Sequence, residues 1–367
     1  MKEIAKGNIK MLLLSLTGAC NLGCKYCYAD SYNENMMTFD IAKKAIALVQ
    51  AQSNDFIIQF SGGEPLLNIN LIRTISQHIK DNNIKAKMQI QTNGTLLTAE
   101  NIDFLVKEKI AIGISIDGNQ KIHDEQRPFR DNSSSFKKIM AGLEILKNKK
   151  INVGITCVVT KNNVNFLEKL VMLSYYWGNI KKIGFDLIRG QGRGSKISKP
   201  TEQELRTGLT KAFSLGEKFK AITGSKIIFA QLNKVEKLQN KELIGFSHCH
   251  AMNGAAIYVD VDGKIYACAS LLGQNEYLIG DVEQGIDLAK QEAIKNKLEL
   301  ILKKCFSCHY FSNCGGACFA RWIGCGDESE QELECCLKIT AIDWYQQERR
   351  RSVLKWNLLD YFKPEDR

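Results

Sequence analysis

Three cysteines in the stretch Cys20-Asn21-Leu22-Gly23-Cys24-Lys25-Tyr26-Cys27-Tyr28 are the residues best placed to do chemistry. Their Cys-x-x-x-Cys-x-x-Cys spacing lets a loop that curls back on itself turn three thiolates towards one centre. A structural zinc wants four ligands and a closed tetrahedron. An iron–sulfur cluster is normally held by four thiolates, and one held by three keeps an iron open to a ligand that is not protein. That open position suits a reactive cluster. A zinc knuckle is the plainer alternative.

A second cysteine field starts at Cys249. Thirteen residues separate Cys249 from Gly263, and four more precede Cys268. Then come Cys305-Phe306-Ser307-Cys308, Cys314, Cys318, Cys325 and the pair Cys335-Cys336. So dense an array is not core packing, and repeated close cysteine pairs also fit two zinc ribbons. Cys157, inside an apolar run, reads as a buried core thiol. His248, His250 and His309 flank field cysteines and read as neighbours of a metal shell rather than its ligands.

The first half of the chain positions the first loop by alternating apolar runs with amphipathic stretches, the pattern of a parallel α/β domain. Strands are expected over Met11–Leu16, Phe56–Phe60, Met88–Thr92, Ala111–Ile116, Asn152–Val159 and Lys182–Ile188. Helices are expected over Phe39–Gln52, Ile69–Asp81, Ala99–Lys109, Phe136–Asn148 and Asn165–Tyr176, with Thr38 and Thr98 as N-caps. Right-handed crossovers would curve six such strands into a sheet or partial barrel. The chemistry-bearing turns fall at the strand ends, the rim where parallel α/β folds bind ligands. Gly62 and Gly63 would let backbone approach a ligand, and Glu64 would accept from an ammonium group. Asn93, Ser115 and Asp117 offer polar contacts to a sugar or amino-acid head, and Arg127 a carboxylate clamp. The glycine-rich run Arg189–Gly194 has no helix close behind it, so it reads as a mobile loop near the rim. Thr201-Glu202-Gln203-Glu204 reads as a capping box. Further helices are expected over Thr201–Phe219, Leu232–Asn240 and Asp287–Leu302, with a hairpin over Ile257–Cys268 turning at Asp262-Gly263.

The cysteine loop with its aromatic Tyr26, the Ser61-Gly62-Gly63-Glu64-Pro65 turn and the Ser115-Ile116-Asp117-Gly118 turn resemble the core of the radical S-adenosylmethionine (radical SAM) enzymes, over about residues 9–189. The resemblance implies that Cys20, Cys24 and Cys27 hold a catalytic [4Fe–4S] cluster whose free iron chelates S-adenosylmethionine. It also implies that the 62–64 turn holds the methionyl amine, that Ser115 and Arg127 reach the carboxylate, and that Leu187 touches adenine. The field from Cys249 to Cys336 resembles the SPASM extension, which carries two auxiliary [4Fe–4S] clusters. By that resemblance Cys305, Cys308, Cys314 and a last cysteine, Cys336 ahead of Cys335, hold an outer cluster. Cys249, Cys268 and Cys318 hold an inner one, with Cys325 or an open site as the fourth position.

The implied fold is a partial (β/α)6 barrel followed by a small cysteine-rich domain with a β-hairpin and helices. Its expected divisions are a core at 1–195, a bridging helical region at 196–245, the SPASM domain at 246–345 and a C-terminal helix or tail at 346–367. The implied activity is reductive cleavage of S-adenosylmethionine to a 5′-deoxyadenosyl radical that takes hydrogen from a peptide, giving an oxidative crosslink such as a thioether in a ribosomally made peptide. The nearest rival is an anaerobic sulfatase maturase making formylglycine. Those enzymes carry an aspartate after the second inner-cluster cysteine, and here Ala269 follows Cys268. Outside this class stand an iron–sulfur electron carrier and a zinc-binding module. Implied partners are a peptide or protein substrate, an electron donor such as flavodoxin or ferredoxin, and a separate leader-binding protein, since the first strand comes at about residue 11.

Composition agrees with these readings. The 367 residues are 44% hydrophobic and 25% charged, ordinary for a globular protein with one large core or two domains. The formal net charge of +10 comes from scattered basic residues. The groups Lys147–Lys150 and Arg349–Arg351 are not interleaved with aromatics, which argues against a nucleic-acid groove. Thirteen cysteines without a convincing secretory signal argue against a disulfide scaffold. The apolar run before Cys20 is too short for a signal h-region, and no stretch approaches the ~18 apolar residues of a membrane helix. The expected compartment is reducing cytoplasm.

Overall fold

The computed structural model describes residues 9–30, 33–240, 254–316, 318, 320–321 and 328–361. Its frame is one eleven-stranded sheet in the order β11-β10-β9-β8-β1-β2-β3-β4-β5-β6-β7. The strands β1 (Met11–Ser15), β2 (Phe56–Ser61), β3 (Ala86–Thr92), β4 (Ala111–Ser115), β5 (Val153–Val159) and β6 (Ile180–Leu187) run parallel and in sequence order. Each lies within two residues of its expected position. The crossovers are α1 (Phe39–Gln50), α2 (Ile69–Asp81), α3 (Ala99–Lys107), α4 (Gln120–Gln126) with α5 (Phe136–Asn148), and α6 (Leu167–Trp177). Thr38 and Thr98 accept from Ile41 N and Asn101 N as N-caps.

Period-two alternation divides the work of the strands. In β2, Phe56, Ile58 and Phe60 are buried against the helices, while Gln59 and Ser61 face a cavity on the other side. In β3, Met88, Ile90 and Thr92 are buried, while Gln91 faces the same cavity. In β5, Ile155, Cys157 and Val159 go to the core, and Thr156 and Val158 to the cavity. The helices thus cover an apolar outer face, and the inner face stays partly polar. β1, central in the sheet, is apolar on both faces: Leu12 and Leu14 are fully buried and Leu13 lines the cavity. Burying each of these leucines is worth about 1.5–3 kcal/mol.

The remaining chain completes the same sheet. After α7 (Glu202–Thr223), capped by the expected Thr201–Glu204 box, β7 (Ile228–Phe229) pairs with β6 and leads into α8 (Ala230–Gln239). The region expected as a helical bridge therefore also carries a seventh parallel strand. The hairpin β8 (Ala256–Val259) and β9 (Lys264–Tyr266) turns at Asp262-Gly263, with Gly263 at φ +85°. β8 pairs parallel with β1, so the hairpin continues the core sheet rather than starting another. β10 (Leu278–Asp281) and β11 (Gly285–Ile286) finish that edge. Next come α9 (Leu288–Phe306), the one-turn α10 (Phe311–Cys314) and the long α11 (Glu328–Tyr361). α11 lies on α7 and α8 through Trp344 against Phe213, Arg206 with Asp343, and Arg349 with Gln239. The division expected at residue 345 falls inside this continuous helix.

Candidate active site

The cysteine loop leaves β1 at Leu16 and is gripped from two sides. On one side the turn after β2 holds its base: Leu16 N donates to Ser61 O (3.0 Å), Gly63 N to Thr17 O (2.7 Å) and Glu64 N to Ala19 O (2.9 Å). Both glycines are required by this contact. Gly62 sits at φ +124°, and a Cβ there would lie 2.3 Å from Thr17 O; one on Gly63 would lie 2.2 Å from Ala19 O. Both residues also border the cavity, and the close approach they permit within the fold is to the cysteine loop. On the other side Gly23 N donates to Pro128 O (2.8 Å) and Lys25 N to Gln126 O (2.9 Å), which brings Arg127 and Arg130 to the cavity.

The glycine-rich run after β6 is packed against the same loop, where a mobile segment was expected. Arg193 N donates to Cys27 O (3.0 Å), Arg193 pairs with Asp30 (2.9 Å), and Gly192 and Gly194 abut the carbonyls of Cys27 and Tyr26.

Cys20, Cys24 and Cys27 line one cavity of about 450 Å³. Cys20 Sγ accepts from Leu22 N (3.5 Å) and Asn93 Nδ2 (3.8 Å), and Arg127 Nη1 approaches Cys24 Sγ at 4.0 Å. Burial pushes the Cys24 thiol up to about 12, with the Arg127 charge opposing, so a thiolate there needs further positive charge such as a metal. Burial raises Cys20 in the same way. Among the described residues no three His, Cys, Asp or Glu side chains converge on a single ion position. A polynuclear iron–sulfur cluster does not require that convergence, because its thiolates bond different metal atoms.

Asn93, Ser115, Arg127 and Leu187 all line this cavity. Asn93 is fixed in a hydrogen-bonded ring, with Nδ2 donating to Asn21 Oδ1 (2.9 Å), Asn21 Nδ2 to Thr95 Oγ1 (2.8 Å) and Thr95 Oγ1 to Asn93 Oδ1 (2.7 Å). Ser115 Oγ accepts from Gln91 Nε2 (3.2 Å).

Two expected ligand contacts face the core instead. Glu64 is fully buried; its carboxylate accepts from Thr92 Oγ1 (2.6 Å), Leu66 N (3.1 Å) and Asn93 N (2.7 Å), tying β2 to the end of β3. Burial raises its carboxyl to about 7 against those bonds. Asp117, also buried, accepts from Val158 N (2.9 Å), Arg127 Nε (2.9 Å) and the Tyr26 hydroxyl. Neither carboxylate borders the cavity. Both are braces.

Sequence reasoning missed other lining residues: Gln59, Gln91, Thr156, Tyr28, Tyr258, Arg130, Asp186, Arg189 and Arg193. For the strand residues a signal existed. Gln59 and Gln91 stand two positions before the rim residues Ser61 and Asn93, and so share their face. Among the described residues, the carboxylates on the cavity wall are each paired with arginine: Asp30 with Arg193, Glu34 with Arg130, and Asp186 with Arg189 and Arg321. The two arginines hold the Asp186 carboxyl down to about 2 despite burial.

The second cysteine field reaches the same cavity. Cys268, just past β9, and Cys318 both line it, as do Ala269 and Ser270. Arg321 joins this region to the core by donating to Asp186 Oδ1 (2.5 Å), Leu187 O (2.7 Å) and Glu334 Oε2 (2.6 Å). Cys249, Cys325, His248 and His250 lie outside the described residues. Of the adjacent pair on α11, Cys335 is the cysteine beside Cys305 and Cys314. Burial and those two thiols push it up to about 11. The expectation had favoured Cys336, but its Sγ lies against Glu202 O (3.4 Å) and Thr340 Oγ1 (4.0 Å). Successive helix residues point about 100° apart, so one of the pair faces α7 and the other the field. Cys308 is exposed, and the His309 ring packs on Tyr310. Cys157 is fully buried, as expected.

Residues 14–171, which include the three-cysteine loop and the turns after β2, β3 and β4, match the Radical SAM superfamily. A protein of Methanocaldococcus jannaschii, named Uncharacterized protein MJ0907, is 34% identical over 303 residues, covering 82% of this chain and 95% of that one. The Cysteine-type anaerobic sulfatase-maturating enzyme of Clostridium novyi is 28% identical over 340 residues, 85% of this chain and 88% of that enzyme. Among solved structures, native anSMEcpe with bound AdoMet and Cp18Cys peptide shares the fold with a TM-score of 0.75 at 21% identity, over 97% of this chain and 99% of that one. By its family match and its long alignment with a relative of this identity, the chain belongs to the Radical SAM superfamily of enzymes.

Proposed function

We propose that this radical SAM enzyme oxidatively modifies a peptide, with one cysteine loop for S-adenosylmethionine cleavage and a second cysteine field that receives the electron or binds the substrate. The observation that carries the reading is the shared cavity, bordered by Cys20, Cys24 and Cys27 and also by Cys268 and Cys318. A [4Fe–4S] cluster on the first loop, with S-adenosylmethionine, supplies a 5′-deoxyadenosyl radical when both are bound.

The chain's own residues hold and shield that chemistry. Arg127 and Ser115 receive the carboxylate of S-adenosylmethionine, and the backbone of the Gly62–Gly63 turn receives its amine. Leu187 packs on adenine, and Asn93 keeps an amide N–H on Cys20 Sγ. Cys268 and Cys318, with Cys249 and either Cys325 or an open site, form the inner auxiliary cluster. Cys305, Cys308, Cys314 and Cys335 form the outer one, and flavodoxin or ferredoxin supplies the first electron.

Within peptide chemistry we favour an oxidative crosslink such as a thioether. Ala269 stands after Cys268, and among the described residues the carboxylates on the cavity wall, Asp30, Glu34 and Asp186, are each paired with arginine, which supports a reaction other than formylglycine formation. Formylglycine formation is the second reading, favoured by the 28% identity to the Clostridium novyi enzyme. Anaerobic reconstitution tests the framework: about twelve irons per chain support three cubanes, whereas bound zinc without iron overturns it. Incubation with cysteine-containing peptides and mass analysis then separates the reactions. A crosslink removes a pair of hydrogens and keeps the sulfur, whereas formylglycine formation from cysteine removes the sulfur.

A further inference from the structure

Asp117 is held on every side. Its backbone N–H donates to His123 Nδ1 (3.3 Å), and its carbonyl accepts from Asn163 Nδ2 (3.1 Å). One carboxylate oxygen accepts from Val158 N in β5 (2.9 Å). The other accepts from two partners that belong to different parts of the cavity: the Tyr26 hydroxyl, within the cysteine loop, and Arg127 Nε (2.9 Å), on the segment after α4. Arg127 also lies over the Tyr26 ring, its Cζ 5.1 Å from the ring centroid. Both side chains border the cavity and Asp117 does not.

We propose that Asp117 is a positioning residue for cofactor binding, fixing the cysteine loop and the Arg127 guanidinium in one register through a single carboxylate oxygen. An arginine side chain turns freely about its stem, and a carboxylate clamp needs its planar fork aimed beforehand. Asp117 takes the Nε–H and leaves the terminal nitrogens, of which Nη1 approaches Cys24 Sγ, on the cavity side. Tyr26, between Cys24 and Cys27, transmits the same constraint to the loop. The inference rests on the proposed pairing of Arg127 with the carboxylate of S-adenosylmethionine. The role is positional, since Asp117 touches no bound molecule.

The test compares anaerobically reconstituted wild type with Asp117→Asn, Tyr26→Phe and Arg127→Gln, after iron content has been matched. Calorimetric titration with S-adenosylmethionine is set beside titration with its decarboxylated analogue. Asp117→Asn is expected to weaken S-adenosylmethionine binding about ten-fold, as the charge on the shared acceptor is lost, and Tyr26→Phe about three-fold, as only one of the hydrogen bonds to it is removed. Neither should change the affinity for the decarboxylated analogue. Equal losses for both ligands, or none for S-adenosylmethionine, overturn the inference, because a role confined to folding makes no distinction on the carboxylate. Tyr26→Phe removes only a hydroxyl and decides the matter if Asp117→Asn does not fold. If Arg127→Gln fails to discriminate between the ligands, the Arg127 pairing itself is wrong. If it discriminates while the other two do not, the positioning role alone falls.

Discussion

Replacing Gly63 with alanine tests how the cysteine loop is held. Gly63 is not at positive φ, so alanine meets no left-handed strain there. The cost is steric: a Cβ would stand 2.2 Å from Ala19 O, 2.5 Å from Gly18 O and 2.7 Å from the Ala19 carbonyl carbon. All three are backbone atoms of the loop that leads into Cys20, so no side chain can swing away. Restoring contact distance moves the two segments apart by about 1 Å. That displacement strains or breaks the bonds from Gly63 N to Thr17 O and from Glu64 N to Ala19 O. Two such bonds are worth about 1 kcal/mol each, and overpacking adds about 1–3 kcal/mol, so the expected loss is about 3–5 kcal/mol. Gly178→Ala is the control, because Gly178 caps α6 at φ +75° with nothing within 4 Å. It should cost only the conformational term, about 1 kcal/mol. Urea unfolding and iron content after anaerobic reconstitution are measured on both variants. Gly63→Ala should lose stability and iron together, and Gly178→Ala should keep its iron. Equal costs and equal iron in the two variants would refute the steric argument.

Cys335→Ser is expected to lower the iron bound per chain by one cluster, while Cys336→Ser keeps it; the opposite pattern in elemental analysis would reverse the assignment on α11. Burial lowers His123 from its ordinary 6.5 to about 4, so it stays neutral in the fold. As pH falls below about 6.5 the unfolded chain takes up a proton that the folded chain refuses, and stability drops until about pH 4, by about 3 kcal/mol. Urea unfolding across that window should show a shallower acid loss in His123→Gln than in wild type. The difference isolates His123 from Glu64, whose raised carboxyl favours the folded state at low pH and loses that contribution as pH rises through about 7. An unchanged slope would place the protonation elsewhere.

The parallel strands were legible because each is a short apolar run closed by turn chemistry, continuous in β1 and alternating in β2, β3 and β5, and helix caps such as Thr38, Thr98 and Thr201 are local signals. α4 was not, since Gln120–Gln126 is mostly polar and is held by packing of His123 and Gln126. The sequence marked Glu64 and Asp117 as important but misjudged their direction. Whether a rim carboxylate points at the cavity or at the core is decided by donors from other strands, Thr92 and Asn93 for one and Val158 for the other. No spacing rule contains that information. The same holds for Cys335 and Cys336, whose order depends on which face of α11 packs on α7.

The pairing of β8 with β1, from Met11 opposite Ala256 to Leu14 opposite Val259, has a mechanical consequence. The strand that feeds Cys20 and the hairpin that feeds Cys268 share one backbone ladder, with strands about 4.8 Å apart. The position of Cys268 relative to Cys20 is therefore set by one continuous ladder rather than by the docking of two separate sheets.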